Sequence, residues 1–82
     1  KPPEIIIIEP QEKNFSSKQI TIRGKTNEEA QITINNRTVM LDAENNFSFI
    51  TKLNPGENKF IIQATDNAGN TAEEELTLTL SL

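Results

Sequence analysis

The chain has 82 residues, 34% of them hydrophobic and 24% charged, with a formal net charge of −4. That length supports one small domain with a modest core, and the acidic balance argues against nucleic acid or an anionic membrane surface as a partner. Histidine, cysteine, tryptophan and tyrosine are absent. Their absence removes disulfides, thiolate and imidazole metal ligands, the commonest general base and the best aromatic stacking platforms.

Pro2-Pro3 and Pro10 bracket Glu4 to Glu9. Proline cannot donate to a ladder, so this segment reads as an edge strand preceded by an extended linker. Ile5-Ile6-Ile7-Ile8 is the longest aliphatic run. It falls far short of the ~18 residues that cross a bilayer, so no membrane insertion is expected and a buried strand is the better reading. Gln11 to Lys18 is polar and reads as a loop. Phe15 within it either plugs one end of the core or stands out as an anchor, and the plug is favoured because isolated loop aromatics fold back onto apolar surface.

Gln19 to Gly24 alternates with Ile20 and Ile22 inward, Lys25 to Ala30 is a polar loop, and Gln31 to Asn35 alternates again with Ile32 and Ile34 inward. Asn35-Asn36 reads as a two-residue hairpin turn, because Asn tolerates the left-handed region. Thr38 to Leu41 returns with Val39 and Leu41 on the matching face, and Asp42-Ala43-Glu44-Asn45 turns the chain again. Asn46 to Leu53 carries Phe47, Phe49 and Leu53 in phase, with Ile50 facing the other way. Asn54-Pro55-Gly56 is a turn with one φ fixed by Pro and one positive φ available at Gly.

The stretch from Asn58 to Asn70 organises the rest. Phe60, Ile62 and Ala64 share one face, and the run ends in the turn formers Asp66-Asn67-Ala68-Gly69-Asn70. Thr71 to Leu82 follows, with Leu76, Leu78, Leu80 and Leu82 alternating against Thr77, Thr79 and Ser81, which favours strand over helix despite Glu73-Glu74-Glu75. About seven short strands with regular turn signals and no sustained helical period predict an all-β, immunoglobulin-like antiparallel sandwich, with a small barrel as the competing architecture.

Little in the chain points to chemistry. Asp66, Asn67 and Asn70 are weak calcium candidates, since calcium takes six to eight converging oxygens and a tight turn needs these side chains itself. Asp42 and Glu44 form a second weak acidic loop. Glu73-Glu74-Glu75 and Glu28-Glu29 read as solvated charge that discourages edge-to-edge pairing. Paired carboxylates hydrolyse glycosides only across a cleft with sugar-binding aromatics, and the whole aromatic stock is four Phe. No catalytic or cofactor-binding set is expected. Asn14-Phe15-Ser16, Asn36-Arg37-Thr38 and Asn46-Phe47-Ser48 match the glycosylation sequon, which is silent outside a eukaryotic secretory route. A Lys–Asn isopeptide cross-link needs a buried Lys, and the lysines fall in loops or at outward positions.

The whole chain resembles the bacterial Ig-like modules related to domain B of glucodextranase. Those modules begin with a proline-flanked strand, as Pro2-Pro3-Glu4-Ile5 and Pro10 do here, and carry a strand ending in Gly-x-Thr, matched by Gly24-Lys25-Thr26. Their V-N-G hairpin is matched by Ile34-Asn35-Asn36, and their D-x-x-G-x-F segment by Asp42 to Phe47. The most specific motif, G-x-N-x-I-x-V-x-A-x-D-x-A-G-N, is matched by Gly56-Glu57-Asn58 through Asn70. Asn36 and Asn45 stand where those modules prefer Gly, and Asn is the next-best residue for positive φ. The resemblance implies a non-catalytic module of a secreted or surface-attached bacterial protein, spacing, orienting or stabilising its neighbours. Residues 1–82 are then a single Ig-like domain of a larger multidomain protein, monomeric in isolation, extracellular or at the cell surface, with neighbouring domains as its partners. The alternatives are a carbohydrate-binding accessory domain, for which Phe15 is the one candidate platform, and an adhesin that adds a protein ligand's strand at Ile5 to Ile8 or Leu76 to Leu82.

Overall fold

A computed structural model describes residues 2–81. Among these the fold is all-β, with eight strands: β1 (Ile5–Glu9), β2 (Asn14–Phe15), β3 (Gln19–Thr26), β4 (Gln31–Ile34), β5 (Arg37–Val39), β6 (Asn46–Lys52), β7 (Gly56–Thr65) and β8 (Thr71–Leu80). They form two sheets, a three-stranded one in the order β1-β3-β6 and a five-stranded one in the order β2-β8-β7-β4-β5. The two pack as the expected immunoglobulin-like sandwich. β7 and β8 are the longest strands, and they pair without a break from Gly56↔Leu80 to Thr65↔Thr71.

Alternation decides the core. The three-stranded sheet contributes Ile20, Ile22 and Phe47, with Leu53 just beyond β6, and the five-stranded sheet Ile32, Ile34, Val39, Phe60, Ile62, Ala64, Leu76, Leu78 and Leu80. Ile22, Ile32, Ile34, Ile62 and Leu78 are fully enclosed. Each such side chain contributes ~1.5–3 kcal/mol relative to exposure, which is what a domain without disulfides must rely on. The inward faces assigned to β3, β4, β6, β7 and β8 are the observed ones, and Ile50 is 63% exposed as its phase requires. Leu82, placed on the same face as Leu80 by the alternation, lies outside the described residues, as does Lys1.

Four expectations change. Gln11 to Lys18 is not wholly loop: β2 pairs in parallel with β8 through Asn14↔Thr79 and Phe15↔Leu80, so the sandwich is not purely antiparallel. A two-residue strand carries no periodicity from which it could be read. The Ile5 to Ile8 run is not buried throughout: Ile5 and Ile7 pack against the core, while Ile6 and Ile8 are 43% and 38% exposed. β1 is an edge strand, and its register shifts between Ile7 and Glu9, a bulge of the kind that bends an edge away from further pairing. The return strand expected at Thr38 to Leu41 is instead Arg37–Val39, with Leu41 half-buried just beyond it. The polar loop expected from Lys25 begins later, because β3 runs on to a buried Thr26.

Candidate functional site

The two acidic loops singled out in the sequence are the same structure built twice. In the β7–β8 turn, Asp66 Oδ1 accepts from the Ala68 and Asn70 backbone N–H groups at 3.0 and 2.8 Å, and Oδ2 accepts from the Asn70 side-chain amide at 3.1 Å. The backbone closes on itself through Asp66 N–H to Asn70 O at 2.9 Å and Gly69 N–H to Asp66 O at 3.1 Å. In the turn before β6, Asp42 Oδ1 accepts from the Glu44 and Asn46 N–H groups, both at 2.9 Å. There Asp42 N–H bonds Asn46 O at 2.9 Å and Asn45 N–H bonds Asp42 O at 3.0 Å. The fourth residue of each turn has positive φ, 64° at Asn45 and 88° at Gly69.

These hydrogen bonds set the charge state. The Asn46 backbone N–H is the main influence holding the Asp42 carboxyl below its ordinary range, joined by the Glu44 N–H and the Asn46 side chain against a desolvation penalty. Desolvation alone would raise Asp66. The Asn70 side chain, the Asn70 and Ala68 N–H groups and the Glu28 side chain together outweigh it, and the carboxyl is lowered. Of the weak calcium candidates, the structure joins Asp66 and Asn70 by a direct side-chain bond, while Asn67 is exposed. Among the described residues no three acidic side chains converge as metal ligands would.

The remaining motif positions are engaged in the same way. Asn58 accepts from the Asn54 N–H at 2.9 Å and donates to Asn54 O, Gly56 O and Leu78 O at 2.9, 3.1 and 3.3 Å, locking the turn at Gly56, whose φ is 93°. Asn35 and Asn36 both take positive φ, 50° and 68°, as a primed hairpin turn requires. The Asn35 side chain also reaches across to β7, accepting from Ile61 N–H at 2.8 Å and donating to Lys59 O at 3.2 Å. In Gly-x-Thr, the glycine is a matter of room: a Cβ at Gly24 would lie 2.6 Å from Phe47 Cζ and 2.7 Å from Ile6 O. Thr26 buries its hydroxyl by donating it to Glu28 O. Neither Thr26 nor Asn58 stands out individually in the sequence. Their signal was their place in the motif, since neither carries a charge or an apolar phase.

Residues 3–82 match the family model described as glucodextranase, domain B. The chain belongs to that family. No curated protein matches it. Glucodextranase domain B is a non-catalytic accessory domain of a glycoside hydrolase, and the domain B motif is accounted for here residue by residue as turn geometry and packing room. Elsewhere on the surface, Phe15 is half-buried against the core beside a hollow of about 530 Å³ that Ile8, Pro10 and Ile20 also line. Glu73 and Glu75 project from the outer face of β8, opposite Gln63 and Ile61. No helix among the described residues is long and apolar enough to cross a membrane.

Proposed function

We propose that this domain is a non-catalytic structural spacer or interaction module of a secreted or cell-surface bacterial protein, and that its working contacts are with neighbouring domains. The observation that carries the reading is the engagement of the motif side chains. Asp42, Asp66, Asn35 and Asn58 all hydrogen-bond the domain's own backbone, and Asp66 also the Asn70 side chain, so they preserve shape and are engaged within the domain. Such side chains act as fasteners of a rod whose long dimension is 43 Å against 20 and 19 Å across.

A carbohydrate-binding or adhesive role is the second reading, favoured by the hollow beside Phe15, which Glu9, Gln11, Glu12 and Gln19 line together with its apolar residues. Calorimetric titration with starch, cellulose and peptidoglycan fragments separates the two. The spacer reading expects no saturable heat. Saturable binding that disappears in Phe15→Ala, with the thermal transition unchanged, replaces it with the glycan reading.

A further inference from the structure

Charge is sorted along the long axis of this domain. Strand register brings Ile5 to Thr26, Lys25 to Asn46, Gln31 to Thr65 and Thr65 to Thr71 at one end. The loops at that end carry Glu4, Glu28, Glu29, Asp42, Glu44 and Asp66, with Lys25 the one cation beside them among the described residues. Backbone bonds from Thr26 to Asn45 at 3.0 Å and from Asn27 to Glu4 at 3.3 Å tie these loops together. The opposite end is marked by Gln19↔Lys52 and Gly56↔Leu80. Toward that end Lys52 on β6 and Lys59 on β7 line a hollow of about 520 Å³, with Glu57 the one acid in its lining; Arg37, which also lines it, pairs with Ile34 and so stands level with Ile62, part-way along the rod. Lys18 adjoins the two lysines, its carbonyl accepting from Leu53 N–H, and Lys13, whose carbonyl accepts from Thr79 N–H, brings Glu12 to the same end, which keeps an excess of cations.

Neither end neutralises itself. Among the described residues the single ion pair is Arg23–Glu9, at 3.7 Å, part-way along the rod. Lys52 and Lys59 stand on strands of different sheets, β6 and β7, so the positive charge of this end is divided between the two layers of the sandwich. That spacing suits a broad field of carboxylates better than one small anion. The same molecule presents such a field at its other end.

We propose that copies of this domain dock head to tail, the Lys18–Lys52–Lys59 end of one against the Glu29–Asp42–Glu44 end of the next. The proposal rests on the spacer reading and adds the geometry of the contact: a heterologous end-to-end interface that extends a line and does not close a ring. The contact is confined to the loops at one narrow end of the rod and joins solvent-exposed charges, a class of contact worth little per pair and screened by salt. Free copies therefore stay monomeric when dilute. The contact matters for copies held together at effective concentrations on the order of millimolar.

The test uses the isolated domain at protein concentrations on the order of 1 mM, by sedimentation and small-angle scattering. At about 0.01 M salt, concentration-dependent association into particles nearly twice as long, not wider, is expected, weakening on the order of tenfold by about 0.5 M salt. Lys52→Glu/Lys59→Glu and Glu29→Lys/Glu44→Lys change exposed side chains only. Each double variant alone is expected to stay monomeric, and an equimolar mixture of the two to associate again. Absence of association in the wild-type chain, association indifferent to salt, or failure of the mixture to rescue would each overturn the proposal. None of these outcomes touches the spacer reading, whose own test is the ligand titration.

Discussion

The Asp42–Asn46 and Asp66–Asn70 turns share their hydrogen bonds but not their sequence. Asp-Ala-Glu-Asn-Asn and Asp-Asn-Ala-Gly-Asn agree at the first and last positions, the two that bond each other through backbone and side chain. They differ at the fourth, where one uses Asn45 and the other Gly69 for the same left-handed step. The turn is therefore specified by an aspartate whose carboxylate collects N–H groups two and four residues on, and the positive-φ residue is the adjustable part. The comparison also sets relative importance. The Asp66 turn joins β7 to β8, the longest pairing in the molecule, whereas the Asp42 turn leads from a three-residue strand in one sheet to β6 in the other.

Removing the aspartate breaks either turn and has the largest expected effect. Asp66→Ala loses two backbone acceptor contacts and the Asn70 side-chain bond, and Asp42→Ala loses two backbone contacts. Both are expected to lower Tm, Asp66→Ala by more. Equal losses, or the reverse order, would mean that the continuity of β7 with β8 does not amplify a defect in its turn. Next comes Gly69→Ala. Nothing lies within 4 Å of a Cβ built there, so the cost is conformational alone. A left-handed residue other than Gly costs roughly 1–2 kcal/mol, readable as a shift of the urea midpoint with unchanged m.

How much of this was legible in the sequence depends on the kind of signal. Phe60, Ile62 and Ala64 against Lys59, Ile61 and Gln63, and Leu76, Leu78 and Leu80 against the threonines, are period-two patterns. The structure buries the members so assigned. The prolines mark this segment as an edge strand, as found, but a row of four isoleucines has no period to say which of its side chains face out, and Ile6 and Ile8 do. β2 was illegible for the same reason. The equivalence of the two aspartate turns is half-legible: both segments read as turns of weak acidity, but the shared first and last residues, Asp and Asn, are separated by different residues at the three positions between. The sorting of charge between the two ends could not be read at all. Glu4, Glu29, Asp42 and Asp66 are far apart in the chain and meet only through the strand register.

Acid sharpens the comparison further. Both carboxyls are lowered in the folded domain relative to the unfolded chain. Their contribution to stability is then complete above the unfolded pKa of roughly 3.9 and lost as pH falls through the lower folded values. Thermal unfolding followed from neutral pH downward is expected to stay level with respect to these groups until about pH 4 and then to fall. Asp42→Asn/Asp66→Asn keeps a side-chain oxygen in each turn and removes the titration, so its curve is expected to fall less steeply below that point. A parallel decline in the double variant would assign the acid sensitivity to other carboxylates.

The smallest expected effect probes the adjustable position itself. Asn45 holds φ at 64°, a region that costs an L-residue strain and costs Gly almost none. Its backbone already makes the bonds the turn needs, with N–H to Asp42 O at 3.0 Å and its carbonyl accepting from Thr26 N–H at 3.0 Å. Asn45→Gly keeps both and relieves the strain, while adding freedom to the unfolded chain. The net gain is expected to be a few tenths of a kcal/mol, on the order of the 0.4–1 kcal/mol that single backbone-entropy changes produce with the opposite bias. Asn36→Gly, at φ 68° in the β4–β5 hairpin, serves as the matched control, because the neighbouring Asn35 carries that turn's side-chain bonds. Denaturant midpoints measured side by side decide the matter. Gains at both positions confirm that Asn stands in for Gly at a small conformational cost. A loss confined to Asn45→Gly would show that its half-buried side chain, and not only its φ, holds the Asp42 turn against β3.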